Sequence, residues 1–352
     1  FQGVFGQLDW EISDRLKAVV AARFDDSSLH DSQVSPRASL VFGVNPDHTL
    51  RFSFSEAFQV PNYSEFFLRA AVAPPITALA PIEGICTLGG VSCGFNQPVN
   101  VLAVGNPTLD VEEVQSLEFG YSGLINRKAF LTIDLYRNDY DNFITDLITR
   151  FQAELGGNIN PLFSPYTPPA ALPAPLRALL LATLQGALGP SFPLLTNDPL
   201  TGAPLLVPVS YVNFGQAEAQ GAELGLSYYV TPEWLLDVSY AWFDFDVDQQ
   251  LAADPVLPNT AENKYSLGLT YIGQRFDASL KWRHVDDFQW NAGVFRGEVP
   301  SYDVANLTAN YNFAGGWTIG VDISNLFDDE HFESFGGDIL ERRALAKVSY
   351  AW

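Results

Sequence analysis

The sequence predicts an all-β protein, a transmembrane antiparallel β-barrel built from about thirteen strands. Three observations predict it. Apolar and polar residues alternate in one segment after another, the period of a strand with one oily and one wet face. The links between segments are alternately tight and long, the rhythm of an outer-membrane barrel with short periplasmic turns and longer extracellular loops. No run of about 18 apolar residues occurs, so a bilayer would be crossed by strands rather than by a helix.

Taken in order, segments 1–12 and 16–25 flank the tight link 13–15. Segments 36–45 and 49–59 flank Asn45, Pro46, Asp47 and His48, and Leu50, Phe52 and Phe54 oppose Arg51, Ser53 and Ser55. Segments 113–126 and 129–146 meet at 126–128, and Leu131, Ile133 and Leu135 alternate with Thr132, Asp134 and Tyr136. Segments 211–230 and 234–247 meet at 231–233, with Leu236, Val238, Tyr240 and Trp242 on one side. Segments 262–273 and 275–288 meet at Gly273 and Gln274. Segments 301–313 and 317–327 meet at 314–316, and 342–352 closes the series. Gly, Pro, Asn and Asp in the tight links suit hairpin turns. The long links are 26–35, 60–112, 147–210, 248–261, 287–300 and 328–341. Most segments exceed an ordinary globular strand and suit a tilted crossing of roughly 9–11 residues. Trp10, Trp234, Trp242, Trp282 and Trp317 fall near segment ends, where an interfacial girdle belongs.

Composition narrows the function. The 352 residues carry 41 acidic against 19 basic side chains, a formal net charge of −22, with aromatics at 13% and charged residues at 17%. So aromatic and weakly charged a chain is not disordered. So acidic a chain lacks the basic footprint of a nucleic-acid binder, and no nucleic-acid partner is expected. There is no Met, so the chain is read as having lost its start. Cys86 and Cys93 lie in CTLGGVSC, far from any histidine. They read as a local disulfide in an oxidising compartment, or else as two thiols.

Several motifs then resemble the TonB-dependent outer-membrane receptors. RFSFSEAFQVPNYSEFF (51–67) and GNPTLDVEEVQSLEFGY (105–121) look like two of the family's strand-and-rim motifs. YRNDYDNFI (136–144) and NFGQAEAQGAELGLSY (213–228) are similar to two more. VPSYDVANLTANYNF, ISNLFDDEHFESFGG and RRALAKVSYAW resemble its C-terminal end. The resemblance implies a barrel of 22 strands by the family pattern, preceded by an N-terminal plug and a box for the energising protein. Plug and box are absent from this sequence. Residues 1–352 are therefore expected to be the C-terminal portion of such a barrel, with large extracellular loops at about 60–112 and 147–210. An odd number of strands does not close a simple antiparallel barrel, which agrees. Val348, Tyr350 and Trp352 resemble the terminal signal read by the barrel-assembly machinery, although Trp replaces the more usual final Phe.

Candidate chemistry is sparse. The four histidines, His30, His48, His284 and His331, are scattered, and no nucleophile elbow, zinc helix or phosphate loop appears. Neither an enzyme nor a cofactor is expected. Asp244, Asp246 and Asp248 share one side of a strand and form a candidate Ca²⁺ site. No glycine-bearing loop or distal Glu completes it, so the plainer reading is a solvated acidic rim, and Asp328, Asp329 and Glu330 read likewise. PLRALLLATLQGAL (175–188) reads as a loop helix, opened by Pro175 and stopped at Gly189 and Pro190. It is either a lid or ligand contact at the barrel mouth, or a segment packed on its neighbouring loop. Arg51, Asp134, Asp237, Lys281 and Arg283 are expected on the hydrated inner wall.

The resemblance implies energised, TonB-dependent uptake of a scarce, bulky ligand such as a ferric siderophore across the outer membrane of a Gram-negative bacterium. The implied partners are outer-membrane lipid, the TonB complex acting through the missing N-terminal region, and the assembly machinery. A passive porin or structural barrel without a plug is the alternative, and a soluble β-protein a third reading.

Overall fold

A computed structural model describes residues 2–149, 163–252, 254–292 and 295–352. Thirteen strands form one antiparallel sheet, each paired with the next in chain order. They are β1 (Gln2–Ser13), β2 (Leu16–Asp26), β3 (Gln33–Asn45), β4 (His48–Gln59), β5 (Glu112–Ile125), β6 (Ala129–Asp141) and β7 (Gln216–Tyr229). The series continues with β8 (Trp234–Gln249), β9 (Asn263–Ile272), β10 (Phe276–Val285), β11 (Tyr302–Asn312), β12 (Trp317–Ser324) and β13 (Arg343–Tyr350). The alternating segments of the sequence are these strands. The short links all lie at one end of the wall and the long links at the other, because odd and even strands run in opposite directions.

Register explains why the two faces differ. One rung runs through Trp10, Ala18, Leu40, Phe52, Phe119, Leu135, Ala222 and Trp242, each the partner of the next across the ladder. A neighbouring rung on the other face holds Val41, Arg51, Gly120, Asp134, Glu223, Ala241 and Lys264. A slip of one residue would carry charge onto the apolar face, so burial of that face in lipid fixes the register. The apolar rung starts near the short-turn end of β1 and reaches the middle of β8. That drift is the stagger that strand tilt imposes on a barrel.

Among the described residues, β1 and β13 each pair along one edge only. The backbone groups of the free edges need partners in lipid. No helix among the described residues is long and apolar enough to cross a membrane.

Two sequence-derived segments end earlier than the alternation suggests. Segment 129–146 leaves the ladder after Asp141, and segment 211–230 enters it at Gln216. Residues between them meet outside the ladder, through an Ile144–Asn213 bridge and hydrogen bonds such as Thr145 N–H to the Val212 carbonyl and Phe214 N–H to the Phe143 carbonyl. They are diverted to hold the loops, which are where the clusters of buried apolar side chains lie.

Candidate functional site

The long-loop end carries a structured cap made from residues 60–111 and 142–215, of which 150–162 lie outside the described residues. Residues Val99–Val104 form the centre of a small sheet. They pair antiparallel with Arg69–Ile76 of the same loop, and parallel with Pro204–Leu206 and Val209–Ser210 of the other. Helix α1 (Tyr63–Phe67) leads out of β4, and α2 (Glu83–Leu88) and α3 (Ala174–Leu188) pack face to face in the cap. The spacing of Leu176, Leu180 and Leu184 gives α3 one apolar stripe. Leu180 and Leu184 are fully buried with Phe95, Val99 and Leu195. The predicted loop helix is thus packed on its neighbouring loop.

Polar contacts fix this core. The Cys86 and Cys93 sulfurs are bonded at 2.00 Å within it. Glu83 accepts the Ser92 hydroxyl at 2.7 Å and the Cys93 and Phe95 N–H groups at 2.9 Å, which shapes the bridged loop. Tyr166, packed on Phe95, has its phenol pKa pushed up by burial. Arg69 reaches the other loop and pairs with Asp198, whose side chain is 3% exposed. Burial alone pushes the Asp198 carboxyl up. The Arg69 guanidinium, the Leu200 N–H and the Thr201 hydroxyl outweigh it and hold the group below the ordinary carboxylate range.

The motifs at 51–67, 105–121 and 213–228 meet where the cap joins the wall. Asn62 donates its N–H to Glu65 Oε2 at 2.7 Å and starts α1. Gly105 lies against the backbone of this turn, where a Cβ would sit 2.5 Å from the Phe66 carbonyl, so no other residue fits. Asn106 donates to the Tyr211 carbonyl at 3.0 Å and accepts the Thr108 N–H and hydroxyl. Asn213 accepts the Asp110 N–H at 2.8 Å and donates to the Asp110 and Asn142 carbonyls at 3.0 Å. Glu112 accepts the Ile144 N–H at 2.8 Å. These short polar side chains satisfy backbone groups that the diverted strands leave unpaired. They form a collar.

Beside the collar opens a cleft of about 360 Å³ lined by Glu65, Phe143, Asp146, Tyr211, Asp254 and Asn291, among others. Asp254 accepts the Asp146 N–H at 2.6 Å, and Arg296 stands 3.5 Å away. Burial pushes the Asp254 carboxyl above its ordinary value, the Asp146 carboxylate adding to it. Burial, with Glu65 and Asp146 behind it, also raises the Tyr211 phenol. The cleft thus offers carboxylates, a neutral phenol and an amide at the mouth of the wall.

The inner wall carries the charges that alternation places there. Arg51 lies 3.1 Å from Asp134 and 3.4 Å from Glu118. Asp237 accepts the Ser227 hydroxyl at 2.6 Å. Lys281 sits in register with Gly268 and Asn306 on the same face. Arg283 pairs with Glu333 and lies over the Tyr302 ring at 5.4 Å. Glu83, Arg69, Asp198, Tyr211 and Asp254 escape a sequence reading, because their partners sit in other loops and no local period marks them.

The three aspartates of β8 are spread along the strand. Asp244, Asp246 and Asp248 continue the face that carries Trp242, beyond the apolar band, and successive ones stand roughly 7 Å apart along the strand. Asp244 accepts the Gln220 amide at 3.0 Å. Among the described residues no group of three or more His, Cys, Asp or Glu is placed to hold a metal ion. Asp328 and Asp329 build the last loop instead, accepting the Arg342 and Asp303 N–H groups. His48 contacts the Tyr121 hydroxyl at 2.7 Å, and His284 lies 3.1 Å from both Asp286 and Asp303. His331 stacks on Tyr302 and His30 lies beside Phe58. Val348 and Tyr350 lie on the apolar face in register with Ile319 and Trp317, and Trp352 follows them, fully exposed.

Comparison with known proteins decides the family. The family profile described as "TonB dependent receptor-like, beta-barrel" matches residues 2–326. The chain belongs to the TonB-dependent receptor family. It is 29% identical over 126 residues to the metal-pseudopaline receptor CntO of Pseudomonas aeruginosa, covering 34% of this chain and 18% of that receptor. It is 25% identical over 146 residues to the probable TonB-dependent siderophore receptor PiuA of Acinetobacter baumannii, covering 36% and 19%. Among solved structures, the siderophore receptor PirA of Acinetobacter baumannii superposes with a TM-score of 0.62 at 16% identity, over 99% of this chain and 45% of that one. The copper transporter OprC superposes with a TM-score of 0.60 at 17% identity, over 99% and 47%. This TonB-dependent receptor chain thus spans less than half the length of these relatives. The matched proteins are receptors and transporters of a Gram-negative outer-membrane family, not enzymes.

Proposed function

We propose that the chain is the C-terminal portion of an outer-membrane receptor that takes up a bulky metal chelate, such as a ferric siderophore, in a TonB-dependent step. The observation that carries this reading is the cap. Two successive long loops, on either side of the β5–β6 hairpin, fold into one cored body, tied by the collar to the rim of a membrane-spanning wall. A passive pore needs no such structure over its mouth, whereas a receptor needs a shaped external surface to select its ligand.

The collar cleft, with Asp146, Asp254, Tyr211 and Asn291, is the surface we assign to ligand contact. Two free sheet edges support a larger barrel to which this wall contributes. In that barrel the inner charges around Arg51 and Asp134 would face a plug, and TonB would act through a region outside this sequence. β13, with Val348, Tyr350 and Trp352, would be read by the assembly machinery. The names of relatives that take metal-pseudopaline, siderophores and copper support a metal-bearing cargo.

The test is growth of a strain deleted for the full-length gene on single iron, copper or zinc chelates under metal limitation. Loss of growth on one chelate, restored by the gene, is the expected result. Normal growth on every chelate would overturn the metal-cargo reading.

A further inference from the structure

The cleft beside the collar is rich in hydrogen-bond acceptors and poor in donors. Four long loops converge on it, bringing Glu65, Asp146 with Tyr211, Asp254 and Asn291. Ionised carboxylates accept and do not donate. Asp254 accepts the Asp146 N–H on Oδ2, and Arg296 stands 3.5 Å from its Oδ1. Among the described residues Arg296 is the one cation within ion-pair distance of these three carboxylates. Glu65 spends its oxygens on Asn62. Asp146 accepts the neighbouring Leu147 N–H on Oδ1 at 3.2 Å, which leaves Oδ2 open. Burial raises the Tyr211 phenol and Glu65 and Asp146 add to it, so the field inside the cleft is negative.

Asn291 adds an acceptor that the fold leaves over. Its N–H donates to Asn259 Oδ1 at 2.7 Å and its Nδ2 to the Pro255 carbonyl at 2.7 Å, while its carbonyl accepts Asn259 Nδ2 at 3.0 Å. These bonds fix the amide, yet its buried Oδ1 has no hydrogen-bond partner. A buried acceptor left unpaired is costly, and here it marks a place for a donor from outside the fold. A bare metal ion is not that donor, because no group of three or more His, Cys, Asp or Glu is gathered among the described residues. Phe143, Val256 and Leu257 make the rest of the lining apolar. Acceptors, negative field and apolar surface together suit a primary ammonium on a hydrocarbon stem, which carries three N–H donors and no acceptor. A carboxylate or catecholate arm would meet repulsion there.

We propose that this cleft takes a primary ammonium arm of the chelate, its N–H groups donating to the acceptors of the lining, Asp146 first among them. The inference rests on the ligand-contact reading of the cleft and deepens it: the receptor selects chelates that carry a protonated amine over polyanionic ones. At about 360 Å³ the cleft holds one arm, and the body of a bulky chelate stays outside it.

The experiment uses the full-length receptor in detergent and two probes of one shape. Nα-acetyl-lysine methylamide ends in an ammonium, and its Nε-acetylated form has the same stem and no charge. Followed by saturation-transfer NMR, the first should bind in the millimolar range, as suits so small a ligand, and the second about tenfold more weakly. Asp146→Asn keeps the side-chain shape and the Leu147 contact but removes the charge. It should weaken the ammonium probe about tenfold and bring the two probes level. Asp244→Asn, on the outer face of β8, should change nothing. Equal binding of the two probes, binding of neither, or a preference untouched by Asp146→Asn would overturn the inference. So would a preference lost as fully in Asp244→Asn, since the net charge of −22 and not the cleft would then attract the probe. Failure here is separable from failure of the metal-cargo reading. Growth dependent on one chelate, with equal binding of the two probes, removes the ammonium arm alone. An ammonium preference that Asp146→Asn abolishes, with normal growth on every chelate, removes the metal cargo alone.

Discussion

Arg51 on β4 reaches across Gly120 of β5 to Asp134 of β6, with Nη2 and Oδ1 3.1 Å apart. The gap exists because residue 120 has no side chain. A Cβ there would stand 2.7 Å from Asp134 Oδ1 and 3.2 Å from Arg51 Nε. Three strands are therefore stitched on the inner wall by one cation, which also lies 3.4 Å from Glu118.

Gly120→Val should push Arg51 and Asp134 apart. Both side chains are about two-fifths exposed, so the pair contributes little, about 1 kcal/mol or less. A double-mutant cycle of Arg51→Ala and Asp134→Ala, read by thermal unfolding in detergent, should return a coupling of that size. A coupling several times larger would mean that this part of the wall is sealed from water.

The cap is more sensitive. Asp198→Asn leaves Arg69 without its carboxylate in a buried site and should cost about 2 kcal/mol locally. The pH dependence follows from the lowered pKa of Asp198. Its contribution is complete above the unfolded carboxyl value, ~3.9, and is lost as pH falls through the lower folded value. Hydrogen exchange over Val99–Val104, taken relative to the intrinsic amide rate at each pH, should therefore be constant near neutrality and rise only in strong acid. In Asp198→Asn it should be raised already near neutrality, and equal exchange in the two proteins would contradict the assignment.

The wall was legible because its physics is local. A period of two places Trp317, Ile319 and Val321 against Thr318, Gly320 and Asp322 without reference to the rest of the chain. Helix α3 was legible for the same reason, since Pro175 and Gly189 punctuate an apolar run. The cap sheet was not. Val99–Val104 pairs with Pro204–Leu206 about a hundred residues away, in strands too short to show a period. The collar hid in the alternation itself, because residues 142–146 and 211–215 look like strand but spend their hydrogen bonds on Asn213, Glu112 and Thr145. The aspartates of β8 share a side, as the period requires, but a strand spreads same-side groups along its length instead of gathering them.

Reduction of the Cys86–Cys93 bridge should act on the cap alone. Closing so short a loop contributes roughly 2–3 kcal/mol by chain entropy. Cys86→Ala/Cys93→Ala should speed proteolysis within 77–95, while heat-modifiable mobility of the wall on gels is retained. Unfolding of the wall together with the cap would show that the two are one cooperative unit.

Asn213→Ala removes three hydrogen bonds that join both loops to the rim. A loss of about 2 kcal/mol in collar stability is expected, seen as faster exchange at Asp110 and Asn142. Chelate binding by the full-length receptor should weaken with it. Unchanged binding would remove the collar cleft from the ligand-contact surface.

Energised uptake is open to a direct transport assay. Cells expressing the full-length gene are given the radiolabelled metal chelate that sustains their growth, with and without a protonophore that collapses the proton-motive force. With the protonophore, accumulation should fall to the level of cells lacking the gene while surface binding persists. Accumulation continuing at the same rate in de-energised cells would contradict it and identify a passive pore.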